Sequence, residues 1–206
     1  MLQDRHMDWR VRSLFFYATH LLGMLPEDGT SKVRTGLGTG APVLARINSK
    51  LSWCGIQIDA AGADGVGDEI QFWMPLPADM DTKHPLYLRV HWTSGSSTTT
   101  DEVSFAAKYR VINRHDDALD DAATAFSTDV PPDSVTGAWD YQVTGWGEID
   151  AGTFIEGDVA AFEIRAASAD VDLGTEKLFV LGIEFAYTPR MTRGGGRAFE
   201  AGRLKA

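Results

Sequence analysis

From residue 42 to residue 187 the chain repeats itself every second residue, and this period restricts its fold more than any other feature. In Leu86-Tyr87-Leu88-Arg89-Val90-His91-Trp92, the apolar residues Leu86, Leu88, Val90 and Trp92 point one way, and Tyr87, Arg89 and His91 point the other. Such alternation describes a strand buried on one side. Val103, Phe105, Ala107, Tyr109 and Val111 repeat it, and Phe179, Leu181, Ile183, Phe185 and Tyr187 are read as one face of a last strand, with Gly182 and Glu184 opposite. The full set of expected strands is Val43–Asn48, Trp53–Ile58, Glu69–Met74, Leu86–Thr93, Val103–Ile112, Trp139–Ile149, Val159–Arg165 and Leu178–Tyr187. The connectors hold Gly, Ser and Asp, and no long helical pattern separates the strands, which argues against parallel βαβ units. The expected fold is all-β, an antiparallel two-sheet sandwich of the jelly-roll kind.

The flanks differ. Over residues 1–41, Leu14, Phe15, Ala18, Leu21, Leu22 and Leu25 share one helical face, with Asp8 as N-cap and Gly23 or Pro26 as the stop. A helix is therefore expected there, with a strand as the alternative because Phe15-Phe16-Tyr17 is strongly aromatic. The stretch from Glu27 to Pro42 is glycine-rich and reads as an extended arm. Asn113–Ala138, acidic and carrying Pro131-Pro132, reads as a protruding loop with a short helix at Asp117–Phe126. Residues 188–206 lack an apolar pattern and read as a flexible tail. The expected organisation is thus an arm (1–41), a sandwich (42–187) and a tail (188–206).

Charge divides the chain at nearly the same places. Residues 1–50 carry a balance of +3, residues 51–187 carry −17 and residues 188–206 carry +4, within an overall −10. An acidic body repels nucleic acid, whose phosphates need Lys and Arg on the contact face. The single cysteine, Cys54, excludes an intrachain disulfide and a multi-thiolate zinc site. The apolar run Leu14–Leu25 is too short to span a bilayer and lacks the cleavage pattern of a signal peptide. Neither nucleic acid nor membrane is an expected partner.

Catalytic and metal motifs are not evident. The acidic groups Asp116, Asp117, Asp120 and Asp121, and Asp64, Asp68 and Glu69, have no EF-hand spacing and read as solvated loops. His6, His20, His84, His91 and His115 form no metal-binding pair; His91, on the polar face of its strand, is expected to find a cross-strand partner. His115 beside Asp116 and Asp117 has no accompanying nucleophile. Gly36-Leu37-Gly38-Thr39-Gly40 is not followed by the G-K-[ST] of a phosphate loop. No catalytic residue, metal or cofactor is expected. Among the tryptophans Trp9, Trp53, Trp73, Trp92, Trp139 and Trp146, the pair Trp139 and Trp146 would face opposite ways on a regular strand, so one of them is a candidate glycan-stacking or interface aromatic.

Four phrases, GDEIQFWMPLP at 67–77, PLYLRVHWTS at 85–94, GDVAAFEIR at 157–165 and LFVLGIEFAY at 178–187, together resemble the jelly-roll virion proteins of tailed bacteriophages that decorate or cement capsids. The resemblance covers the body and not the two ends. It implies a non-enzymatic virion protein, assembled in the host cytoplasm, that trimerises at capsid threefold positions and binds the major capsid protein or another virion protein. The charge layout agrees with such a role. Arg5, Arg10 and Arg12 before the body, and Arg190, Arg193, Arg197, Arg203 and Lys205 after it, are the candidate contacts to an acidic neighbour. A carbohydrate-binding sandwich module, a tail or vertex virion protein, and a glycan hydrolase are the alternatives; for the hydrolase nothing in the sequence pairs two carboxylates.

Overall fold

The structure, a computed structural model, describes residues 11–17, 43–47, 54–58, 69–112, 126–152, 154, 159–166 and 178–190. Within them the chain is an all-β sandwich of two antiparallel sheets, as its alternation predicts. The strands are β1 (Arg12–Tyr17), β2 (Val43–Arg46), β3 (Cys54–Ile58), β4 (Glu69–Pro75), β5 (Leu86–Ser94), β6 (Glu102–Ile112), β7 (Phe126–Ser134), β8 (Gln142–Val143), β9 (Gly147–Ile149), β10 (Val159–Ala166) and β11 (Leu178–Tyr187). The first sheet runs β2-β3-β11-β5-β8, with β1 also on β11 and β9 also on β5; the second runs β4-β10-β6-β7.

Between the sheets, Leu86, Leu88, Val90 and Trp92 of β5 and Ile183 and Phe185 of β11 meet Ile70, Phe72 and Met74 of β4, Phe162 and Ile164 of β10, and Phe105 and Ala107 of β6. Phe72 and Phe162 stack with centroids 5.3 Å apart, Phe185 lies 4.8 Å from Phe162, and Phe16 of β1 lies 5.6 Å from Phe72. Each ring so buried contributes about 1.5–3 kcal/mol through removal from water.

The first segment is a correction to the sequence reading. Arg12–Tyr17 is not helical; it pairs antiparallel with β11, Phe15 opposite Glu184 and Phe16 opposite Ile183. Leu14 and Phe16 pack against the core, so the run obeys the strand period. The edge of β11 supplies the backbone hydrogen-bond partners that an extended segment cannot supply for itself. The sandwich therefore begins before residue 42. Residues 18–42, with the remainder of the expected helix and the glycine-rich arm, lie outside the described residues, as do Asp117–Ala125 of the second expected helix and most of the expected acidic loops.

The expected loop Asn113–Ala138 is also corrected, because it contains β7. Phe105 pairs with Val130 and Val103 with Asp133, so Pro131 and Pro132 oppose the single residue Ser104. Proline has no N–H to give the ladder, and here it sits at a bulge on an edge strand, where that lack is tolerated. The expected strand Trp139–Ile149 is broken as well. β8 and β9 share one edge of β5, and between them Thr144 exchanges hydrogen bonds with Val90, N to O at 3.1 Å and Val90 N to Oγ1 at 3.0 Å.

A further correction concerns β11. Val180 pairs with Trp92 and Gly182 with His91, which leaves Leu181 as an extra residue. The bulge reverses the alternation. Leu178 and Val180 face the core before it, and Ile183, Phe185 and Tyr187 face the core after it. Phe179 instead lies on the outer face against Trp139, with centroids 6.0 Å apart. Without the bulge Glu184 would point into the apolar core; with it, Glu184 belongs to the outer face.

Candidate functional site

The outer face of the first sheet gathers polar and aromatic side chains from β1, β5, β11 and the segment around β8. At its centre is the Glu184 carboxylate, 7% exposed. One oxygen, Oε2, accepts from Arg89 Nε at 2.8 Å and lies 2.8 Å from Arg89 Nη2 and 3.0 Å from His91 Nε2. A buried carboxylate needs such donors to stay charged. The expectation that His91 finds a cross-strand partner is met by Glu184 on β11.

His91 completes a relay. Its pKa is lowered, first by burial and further by Arg89, against the hydrogen bond and charge of Glu184, which raise it. The ring is therefore neutral at pH 7. Nε2–H donates to Glu184, and the bare Nδ1 accepts the hydroxyl proton of Tyr141, which stands within hydrogen-bond reach. Burial also raises the pKa of Tyr141, with Glu184 adding to the rise and Arg89 opposing it, so the phenol keeps its proton. The Tyr141 ring itself is 63% exposed. A buried chain Glu184–His91–Tyr141 thus fixes the direction of a hydroxyl on an exposed ring.

More rings extend this row. Phe15 stands edge-on to His91 at 4.7 Å and lies against Gly182, and Tyr17 lies 4.5 Å from Phe15. Arg89 places its guanidinium carbon 4.3 Å from the Trp146 ring centroid, a cation–π contact. Trp139 sits in a turn whose backbone is tied to β5 by Trp139 N donating to Ser94 O at 2.7 Å. Its φ of 67° is in the left-handed region, unusual for so bulky a residue.

Of the sequence candidates, Trp139 is exposed and Trp146 half-buried, and both belong to this one face because the segment carrying them is not a regular strand. Sequence reasoning did not single out Tyr141, Arg89, Glu184, Phe15 or Tyr17. The usable signal was the pair Arg89 and His91 on the polar face of β5, opposite a lone acid in β11.

A different cluster lies at one end of the sandwich. Asp79 takes Arg12 on Oδ2 and the Tyr187 hydroxyl on Oδ1 at 3.1 Å, and its carbonyl accepts from Arg190 N at 2.6 Å. Asp81 N donates to Thr188 O at 2.8 Å, and Met80 bridges Pro189. Arg12, expected to be a free arm cation, is committed to an ion pair within the chain, and Thr188–Arg190 is fastened to the sandwich rather than part of a tail. Arg5, Arg10, Arg193, Arg197, Arg203 and Lys205 lie outside the described residues. Among the described residues no group of three or more His, Cys, Asp or Glu could hold a metal, and no helix is long and apolar enough to cross a membrane.

A pH effect follows from His91, which faces Glu184 on β11, Arg89 on its own strand and Tyr141 beside β8. Its folded pKa lies below the ordinary 6.5, so the unfolded chain takes up the proton first as pH falls. Its contribution is fully present above pH 6.5 and declines below that value toward the folded pKa. Melting temperatures between pH 7.5 and 5 should fall more steeply in the natural chain than in His91→Gln; parallel slopes would contradict this.

No model of a known protein family and no curated protein matches this chain. Among solved structures it is similar to the mosquito-larvicidal Cry4Aa toxin from Bacillus thuringiensis, at 10% identity and a TM-score of 0.41, over 87% of this chain and 24% of the toxin. The chain therefore spans about a quarter of the toxin's length. It is also similar to a proposed sugar-binding protein from Bacteroides thetaiotaomicron, at 10% identity and a TM-score of 0.39, over 76% of this chain and 86% of that one.

Proposed function

We propose that this chain is a non-enzymatic structural subunit of a virion, a capsid decoration or cement protein that is homotrimeric and is held to the major capsid protein by its basic ends. The observation that carries this reading is where the two ends leave the sandwich. Arg12, through its side chain, and Arg190, through its backbone N–H, both bind Asp79. Residues 1–10 and 191–206 therefore continue from one pole of an acidic body. Residues 191–206 carry four Lys/Arg against one Asp/Glu, and residues 1–10 add Arg5 and Arg10; cations issuing from one place act on one neighbour at high effective concentration, so their weak contacts add. Contacts made by such charges release readily when salt screens them.

The test is co-sedimentation with shells of the cognate major capsid protein. The full chain should pellet with them, and binding should weaken between 50 and 500 mM salt, roughly as expected for contacts screened over about 10 Å at 0.1 M. Removing residues 191–206 should abolish pelleting and leave the melting temperature unchanged. Undiminished pelleting of the shortened chain would contradict attachment through the ends.

A further inference from the structure

We propose that the outer face of the first sheet binds an uncharged oligosaccharide, laid across β1, β11, β5 and β8 with Tyr141 as its central contact. This site is separate from the Asp79 pole and does not depend on attachment through the ends.

Three of the four exposed large apolar side chains among the described residues, Tyr17, Trp139 and Tyr141, belong to this face; the fourth, Trp73, is on β4 of the other sheet. Sugar rings present C–H groups on their faces and hydroxyls at their edges. They are bound by aromatic surfaces with a few fixed polar atoms beside them. Tyr141 offers both. Its proton is committed to His91, which leaves the oxygen lone pairs to accept from a sugar hydroxyl. The His91–Glu184 chain holds that oxygen in place before a ligand arrives, which lowers the entropy lost on binding.

Charge selects the class of sugar. The charged side chains at the centre of this face, Arg89 and Glu184, are paired with each other. Among the described residues the centre of the face therefore holds no unpaired cation for a uronate or phosphate, and the surrounding body is strongly acidic and repels anions. Size argues against a protein occupant. Four adjacent strands span roughly 14 Å at about 4.8 Å per spacing, the width of a short oligosaccharide. A stable protein interface needs about 800 Å² per partner.

The test is a glycan array probed with the full chain, followed by titration calorimetry on the best neutral oligosaccharide. Tyr141→Ala should weaken binding by about tenfold or more. Tyr141→Phe, which keeps the ring and removes the acceptor, should fall between it and the natural chain. Trp73→Ala, on the opposite sheet, should bind normally. Both positions are exposed, and a melting temperature checks that each variant folds. The proposal is overturned if the folded chain binds no neutral glycan, if it prefers acidic glycans, or if Tyr141→Ala binds as well as the natural chain. It is also overturned if this face proves to be a contact between copies, seen as a sedimentation mass that Tyr141→Ala reduces.

Discussion

Glu184→Ala should lower the free energy of unfolding by about 3 kcal/mol, near the lower end of the range for breaking a buried ion pair from one side. The carboxylate is the common acceptor for Arg89 and His91. Its loss leaves the Arg89 guanidinium, whose side chain is only 23% exposed, without a counter-charge. That residual exposure keeps the cost below the largest values seen for fully buried pairs. Glu184→Gln retains shape and one acceptor oxygen and should cost about half as much. The informative variant is Arg89→Met with Glu184→Leu. With both charges gone, only the neutral His91 Nε2–H loses its acceptor, and part of the stability should return. Urea unfolding measures all three. A cost below about 1 kcal/mol for Glu184→Ala would mean that water screens the pair as it does a surface ion pair.

Gly182→Val should be comparably damaging, for a steric reason. A Cβ on Gly182 would meet Phe15 Cε1 at 2.5 Å and the Phe16 carbonyl oxygen at 2.8 Å. The ring can rotate away, but the carbonyl belongs to the backbone of β1 and can yield only if the strand moves. Displacing β1 also withdraws Phe16 from the Phe72 and Phe185 rings. Overpacking of this kind costs about 1–3 kcal/mol, and losing the burial of Phe16 adds to it, so about 3 kcal/mol or more is expected. Hydrogen exchange should show β1 amides losing protection while β5 and β10 keep theirs. Adding Phe15→Ala should restore part of the loss, because it relieves the ring and not the carbonyl. Unchanged protection of β1 in Gly182→Val would contradict this account of the sheet edge.

The strands that alternate cleanly were legible in the sequence because alternation is a local signal. β4, β5, β6 and β10 lie within a residue or so of their expected bounds. What was not legible depends on partners far along the chain. Leu14 to Tyr17 fits both a helical and a strand period, and only the edge of β11 decides between them. β7 was hidden because Pro131-Pro132 reads as a loop, and the bulge opposite Ser104 absorbs both prolines. The same limit applied to the outer face. His91 could be given an unnamed cross-strand partner, but the extra residue Leu181 determines which side of the sheet Glu184 occupies. Tyr141 carried no signal at all, since its importance comes from the hydrogen bond to a histidine on another strand.

The charge pattern was fully legible, and the fold gives it a direction. Arg12 and Arg190, where the two ends leave the sandwich, share Asp79, while the aromatic face lies along the sheet and away from that pole. The most direct test is electron cryo-microscopy of the particle that carries this protein. The account predicts sandwich density with Asp79 and Tyr187 turned toward the shell, both ends continuing into it, and Tyr141 turned to solvent. A sandwich with the Asp79 pole facing outward, or particles with no such density, would contradict it.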